Sequence, residues 1–259
     1  MFLNKIREWN HRRLAKRADR RILSELKNLK NDLQNLSRAV QDPNGLGMAS
    51  FRMHMLHCPE EYEYMLCATP PQGLVIDGGA NLGLFSDLML GLGAEVVAFE
   101  PNPILCRYLV KKYQIDEKNG ESSFAPLLLK REAISTKNEE LQFSMPKSGS
   151  FINQSQGGSI ENIVSDGDKL DFDVRAIDFV DYLKQLKANG KRPYLIKLDI
   201  EGAEFNVLNS ILDSRLHDSF DYLVCETHER FFKDGEKRIK QLNNRLKEEN
   251  INNIFLDWA

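Results

Sequence analysis

The chain has 259 residues, with 35 Lys and Arg against 38 Asp and Glu, a formal net charge of -3 and 42% hydrophobic residues. That length and composition accommodate one α/β domain of roughly 200 residues plus an appendage, and the small negative charge excludes a general affinity for nucleic acid. No apolar run approaches the roughly 18 residues that span a bilayer, and the start is too polar for a secretory signal, so a cytoplasmic protein is expected.

The first element is a basic helical arm over residues 1–45. Between Met1 and Lys30 stand ten Lys or Arg residues against three acids, Glu8, Asp19 and Glu25, and this charge points to a partner or a surface. Ile22, Leu26, Leu29, Leu33, Leu36 and Val40 alternate steps of four and three, which is a short coiled-coil seam. The seam reads equally as a homodimer contact or as packing on the chain's own domain. Phe2, Ile6 and Trp9 share a helical face near arginines. Such a helix either lies peripherally at the inner membrane face or is a solvated end or partner contact. Asp42-Pro-Asn-Gly-Leu-Gly47 breaks the helix and opens the second domain, residues 46–259.

In Phe51-Arg-Met-His-Met-Leu-His-Cys58 the apolar and polar residues alternate, so His54 and His57 read as the edge of a half-buried element rather than as pocket residues. From Pro70 onward strands alternate with helices, as a parallel sheet covered on both faces requires. Strands are expected at about 74–77, 95–99, 124–129, 194–199, 221–226 and 252–257, with a helix at about 234–249. Val75-Ile-Asp-Gly-Gly-Ala-Asn-Leu-Gly83 is a buried strand entering a glycine turn, where Gly78, Gly79 and Gly83 permit a sharp bend and close approach to a ligand. The next strand, Val96-Val-Ala-Phe-Glu-Pro101, delivers Glu100 beside that turn, where a carboxylate accepts hydrogen bonds from both ribose hydroxyls. The glycine spacing is not the G-x-G-x-x-G of a pyrophosphate site. Asp77 in the turn would repel a pyrophosphate and suit a ligand carrying an ammonium and a sulfonium, such as S-adenosylmethionine. Beyond the third strand, the polar segment Ser144 to Asp168 reads as a mobile loop, either closing over substrate or solvated.

Each apolar strand ends at a polar residue, and ligands of open α/β sheets bind outside those carboxyl ends. The tips are Asp77, Glu100, Asp199 and Glu226. Tyr194-Leu-Ile-Lys-Leu-Asp-Ile-Glu-Gly-Ala-Glu204 puts Asp199 at a strand tip, Glu201 near the following helix N-terminus and Glu204 one turn on. Four cysteines, Cys58, Cys67, Cys106 and Cys225, form no C-x-x-C pair, which fits idle thiols in a reducing compartment.

Taken together, VIDGGANLG, AFEPNP ending at Pro103, Arg131-Glu-Ala-Ile-Ser135, IKLDIEGAE and Leu223-Val-Cys-Glu-Thr-His228 resemble the FkbM family of S-adenosylmethionine-dependent methyltransferases, from about Phe51 to the C-terminus. The resemblance implies a class I, Rossmann-like fold and O-methylation of a sugar, glycan or other small-molecule hydroxyl, as in polysaccharide biosynthesis. It also implies cofactor contacts: Asp77, Gly78, Gly79, Ala80, Asn81 and Gly83 at the methionine end, Glu100 at the ribose, Glu132 with Ala133 at the adenine edge, and Asn102 among the cofactor-binding residues. One departure stands out. Class I sheets end in an antiparallel hairpin, yet only Ile251 to Trp258 remain after the last helix.

Methyl transfer to an alcohol needs alignment and a base. Asp199, Glu226 and His228 are the candidates, and the intrinsic pKa of histidine, about 6.5, makes His228 the natural proton acceptor. The same three residues offer oxygen and nitrogen ligands for magnesium or a transition ion. Chain position alone does not make them converge, and no metal is expected. Two rival functions are nucleic-acid or protein N-methylation and a non-catalytic scaffold. The acidic LDIE tip in place of an N-P-P-Y-like element opposes nucleic acid, and intact Asp77 and Glu100 oppose the scaffold.

Overall fold

The computed structural model describes residues 60–146, 158–159 and 169–258, all within one compact unit. The basic arm, its seam, His54, His57 and Cys58 lie outside the described residues.

Helix α1 (Glu60–Cys67) leads into strand β1 (Leu74–Gly78), helix α2 (Leu84–Gly91), strand β2 (Glu95–Phe99), helix α3 (Pro103–Tyr113) and strand β3 (Leu127–Lys130). Strands β4 (Ala133–Ser135), β5 (Glu139–Pro146) and β6 (Lys169–Asp178) follow, then helix α4 (Phe179–Ala188), strand β7 (Leu195–Leu198), helix α5 (Glu204–Asp213), strand β8 (Tyr222–Cys225), a 3₁₀ turn at Glu229–Phe231, helix α6 (Gly235–Glu248) and strand β9 (Ile254–Phe255). The main sheet has six strands in the order β3-β2-β1-β7-β8-β9, all parallel. Such strands are apolar on both faces because helices cover both. On one face Ile76, Ile196, Leu198 and Leu223 pack against α4, α5 and α6 through Phe179, Leu208, Ile211 and Leu242. On the other, α2 is tied to β1 by a hydrogen bond from Ser86 Oγ to the Asp77 carboxylate. The order reverses between β1 and β7, and a reversal of this kind opens the ligand crevice at the strands' carboxyl ends.

The main-sheet strands fall where the sequence puts them, with boundaries moved by a few residues. At the far edge α6 crosses back to a two-residue β9 that runs parallel to β8. An antiparallel bridge joins Glu226 and Asp257 beside it, so among the described residues a short parallel strand and this bridge stand where class I sheets carry a hairpin. Tyr62 of α1 closes this end by stacking on Trp258, with centroids 5.9 Å apart, and by bonding Asp257.

A second sheet, β4-β6-β5, was not anticipated. Residues read as the start of a mobile loop, Ser144 to Pro146, complete β5, and Ser159 pairs with Ser144 through both backbone hydrogen bonds. The physical reason lies in the pattern: Leu141, Phe143 and Met145 alternate with polar residues, as do Leu170, Phe172, Val174 and Ala176 across the ladder. A two-residue period marks a sheet with one buried face. The rest of the 144–168 segment lies outside the described residues. No helix among them is long and apolar enough to cross a membrane.

Candidate active site

The pocket sits at the carboxyl ends of β1, β2 and β7, with a wall supplied by the second sheet. Its lining includes Gly79, Asn81, Glu100, Asn102, Glu132, Ala133 and Asp199 from the sequence-derived set, joined by Leu105, Ile134, Phe143, Ile200 and Glu201. The glycine turn is bonded to β2, because the N–H groups of Gly79 and Ala80 both donate to the Phe99 carbonyl. Gly79 has φ of 77°, and a Cβ there would lie 1.8 Å from the Asp199 carbonyl oxygen. The turn and the tip of β7 therefore approach closely only because residue 79 is glycine.

Glu100 is held symmetrically. One carboxylate oxygen accepts the Asn81 N–H and the other the Asn102 N–H, both at 2.8 Å. Burial pushes its carboxyl up to about 7, against the lowering effect of those two amides. A carboxylate has about four acceptor positions, so two stay open for hydroxyl donors in the pocket. The Asn102 carboxamide is otherwise engaged: Oδ1 caps α3 by accepting the Ile104 N–H, and Nδ2 contacts the Met145 sulfur at 3.5 Å. Its role is to fix Glu100 and the helix. Glu132 and Ala133 stand where the chain leaves the main sheet for the second one, with Glu132 3.4 Å from Arg175.

Asp77 departs from expectation. Its side chain is fully buried and does not line the pocket. It bonds Ser86 and lies 3.5 Å from the ammonium of Lys197, so its charge is offset within the protein rather than presented to a cationic ligand. Lys197, which sequence reasoning passed over, is 5% exposed. It also reaches Asp199 Oδ2 and the Gly79 carbonyl, each at 3.2 Å. Burial acts to lower its pKa, but the flanking Asp199 and Asp77 outweigh this and raise it, keeping the lysine charged. The K-x-D spacing of alternate strand residues was the available signal. Gly78 and Gly83 serve packing: a Cβ would meet the Lys197 carbonyl at 2.9 Å and the Tyr113 hydroxyl at 2.5 Å respectively. Ala80 is buried beneath the turn.

Beside the pocket lies an acidic cluster around His228, which is 1% exposed. Its Nδ1 is 2.9 Å from Glu204, and Glu204 in turn accepts the N–H groups of Ile200 and Gly202. Its Nε2 faces Glu201 at 3.3 Å, Glu226 at 3.6 Å and Asp199 at 3.8 Å. Burial acts to lower the imidazole pKa, but Glu204, Glu201 and Asp199 prevail and hold it at about 9. With no cation bound, these carboxylates favour the imidazolium form of His228 over the neutral base that the sequence suggested. Burial instead pushes the Glu201 carboxyl up to about 7, partly opposed by His228. In the absence of a bound cation Glu201 is better poised to take a proton. Sequence reasoning located Glu201 without assigning it this part. Cys106 and Cys225 are buried free thiols, and burial pushes Cys106 up to about 12, as expected of idle groups.

A parallel sheet reversing at β1, a buried carboxylate at the β2 tip and acids beyond β7 and β8 define a Rossmann-like domain of the class I methyltransferase kind. Residues 77–251 match the Methyltransferase FkbM domain model, and the chain belongs to that family. It is similar to Methyltransferase 1 of Beauveria bassiana (strain ARSEF 2860), at 24% identity over 172 residues covering 63% of this chain and 68% of that one. It also aligns with the crystal structure of Methyltransferase FkbM from Methylobacillus flagellatus KT, at 15% identity and a TM-score of 0.41, over 86% of this chain and 54% of the other. The chain thus spans about half the length of that solved protein.

Proposed function

We propose that the protein transfers a methyl group from S-adenosylmethionine to a hydroxyl of a sugar, glycan or other small-molecule acceptor. The observation that carries this reading is the junction of two sites: Asp199 and Glu201 both line the pocket that contains Glu100 and both face His228. The cofactor fits the residues present. The open acceptor positions of Glu100 suit the ribose diol, Ala133, Ile134 and Phe143 provide apolar surface for a purine, and the Asp199–Glu201 side suits the cationic methionine end.

The cofactor supplies an electrophilic methyl carbon on a sulfonium. The chain's own residues align the acceptor oxygen and receive its proton. Glu201 takes that proton, and Asp199, fixed by Lys197, orients the hydroxyl. With no cation bound, a charged His228 offsets the repulsion among the four surrounding carboxylates. Alignment in a closed site contributes more than the roughly 10²- to 10⁴-fold typical of a general base. A turnover assay against nucleotide sugars, glycans and lipid-linked sugars, with product followed by mass, tests the reading. A gain of one methyl on an acceptor oxygen supports it, while methylation only at nitrogen contradicts it.

A further inference from the structure

Asp199 follows β7, and Glu226 and His228 follow β8; each contributes one ligand atom to a group lying within 4.8 Å of one another. We propose that these three residues bind a divalent cation that holds and acidifies the acceptor hydroxyl, the catalytic part of which rests on the O-methyl transfer proposed above. The expectation of a metal-free site came from chain positions that could not show convergence, and the folded chain supplies it.

Asp199 and His228 are each held at one donor atom, which leaves the other facing the cluster. Lys197 engages Asp199 Oδ2, leaving Oδ1 toward the imidazole. Glu204, fully buried and fixed by two backbone N–H groups, holds His228 Nδ1. A carboxylate behind one ring nitrogen is the arrangement that orients a metal-binding histidine through the other. The second, independent observation is Nε2 itself. It belongs to a side chain 1% exposed, forms no hydrogen bond among the described residues, and points among carboxylate oxygens 3.3 to 3.8 Å away. Carboxylates crowded in this way repel one another, and a doubly charged ion offsets that repulsion. The nearby side-chain cations approach from outside: Lys197 lies on the far oxygen of Asp199, and the exposed Arg230 lies 3.5 Å from the Glu226 oxygen that faces His228, where an ion would have to displace it.

Two carboxylates and one imidazole suit manganese, iron or zinc, and admit magnesium. Bonds of about 2.1 Å would draw the donors inward, and Glu226, only half buried, can make that movement. In the transfer step the ion would hold the acceptor O–H and lower its pKa, and the proton would pass to the Glu201 carboxylate, which lines the same pocket. The oxygen then forms the new O–C bond as the S–C bond breaks, and its electron pair leaves on sulfur as the neutral thioether of S-adenosylhomocysteine.

The test is manganese(II) binding by the full chain, read from the loss of the free-ion paramagnetic resonance signal and by calorimetry. About one ion per chain is expected, with affinity falling at least tenfold in Glu226→Gln and in Asp199→Asn. S-adenosylmethionine affinity should stay within about twofold in Glu226→Gln, because Glu226 does not line the cofactor pocket. A folded wild-type chain that leaves millimolar manganese(II) free overturns the inference, as does binding unchanged in both variants. If the cofactor binds and methyl transfer continues undiminished in chelator, the cation fails and the methyltransferase reading stands. If manganese(II) binds as described but no cofactor does, the site stands and the reading fails.

Discussion

In the proposed function Glu100 sets a buried charge against the ribose diol, and its chemistry is measurable. Its carboxyl is pushed up to about 7, so the group is largely neutral at pH 6 and ionised at pH 8. Ribose hydroxyls bond best to the ionised form, so cofactor affinity should rise from pH 6 to pH 8, with a smaller slope in Glu100→Gln. That variant should also bind the cofactor roughly 10- to 100-fold more weakly, the cost of losing a charge-assisted hydrogen bond, about 1.5–3 kcal/mol; titration calorimetry at both pH values checks both outcomes. The linkage sign is the reverse of a salt-bridged carboxylate. A folded pKa of about 7 against 4.5 unfolded makes this group a stability cost present in full above about 7 and absent below about 4.5. Gly79→Ala should be severely destabilising, since its methyl would sit 1.8 Å from the Asp199 carbonyl at a positive φ; a loss of at least about 1–3 kcal/mol in denaturant unfolding is expected, with the cofactor site disrupted alongside. At Asp77 the sequence carried the position but not the environment, because nothing in a linear string reveals that Lys197 from another strand lies 3.5 Å away. His228 illustrates the same gap. Its pKa is decided by Glu204, Glu201 and Asp199, residues more than twenty positions earlier.

At the scale of elements, the six main-sheet strands were legible because each is a short apolar run ending in a polar tip. The second sheet was passed over because its strands are only half apolar, and because Ser, Gly and Asn residues near 144–168 outweighed the two-residue period of β5 and β6. This matters for function, since β5 supplies Phe143 to the pocket wall and to a small core with Met145, Val174 and Ala176. Phe143→Ala should therefore cost about 3–5 kcal/mol in unfolding experiments and weaken the cofactor about tenfold, roughly 1.4 kcal/mol of lost contact. A variant that loses stability but binds the cofactor normally would detach β5 from the site. The last strand was also partly legible: an apolar run was expected at about 252–257, and α6 returns the chain in the parallel sense to β8.

For the whole molecule, the parallel sheet brings acids from distant parts of the chain to one edge, where the pocket and the His228 cluster share Asp199 and Glu201. The basic arm enters as a separate proposal, a contact for a homodimer or an anionic surface. Deleting Met1 to Arg21 should leave methyl transfer to a soluble sugar acceptor within about twofold and abolish co-sedimentation with anionic vesicles if the surface contact holds. The most direct test of the central claim is equilibrium dialysis of methyl-labelled S-adenosylmethionine against the full chain and its Glu100→Gln variant. Saturable binding of one equivalent per chain, weakened at least tenfold in the variant, is the expected result. A folded wild-type chain that retains no label, or a variant that binds as tightly as wild type, would contradict it.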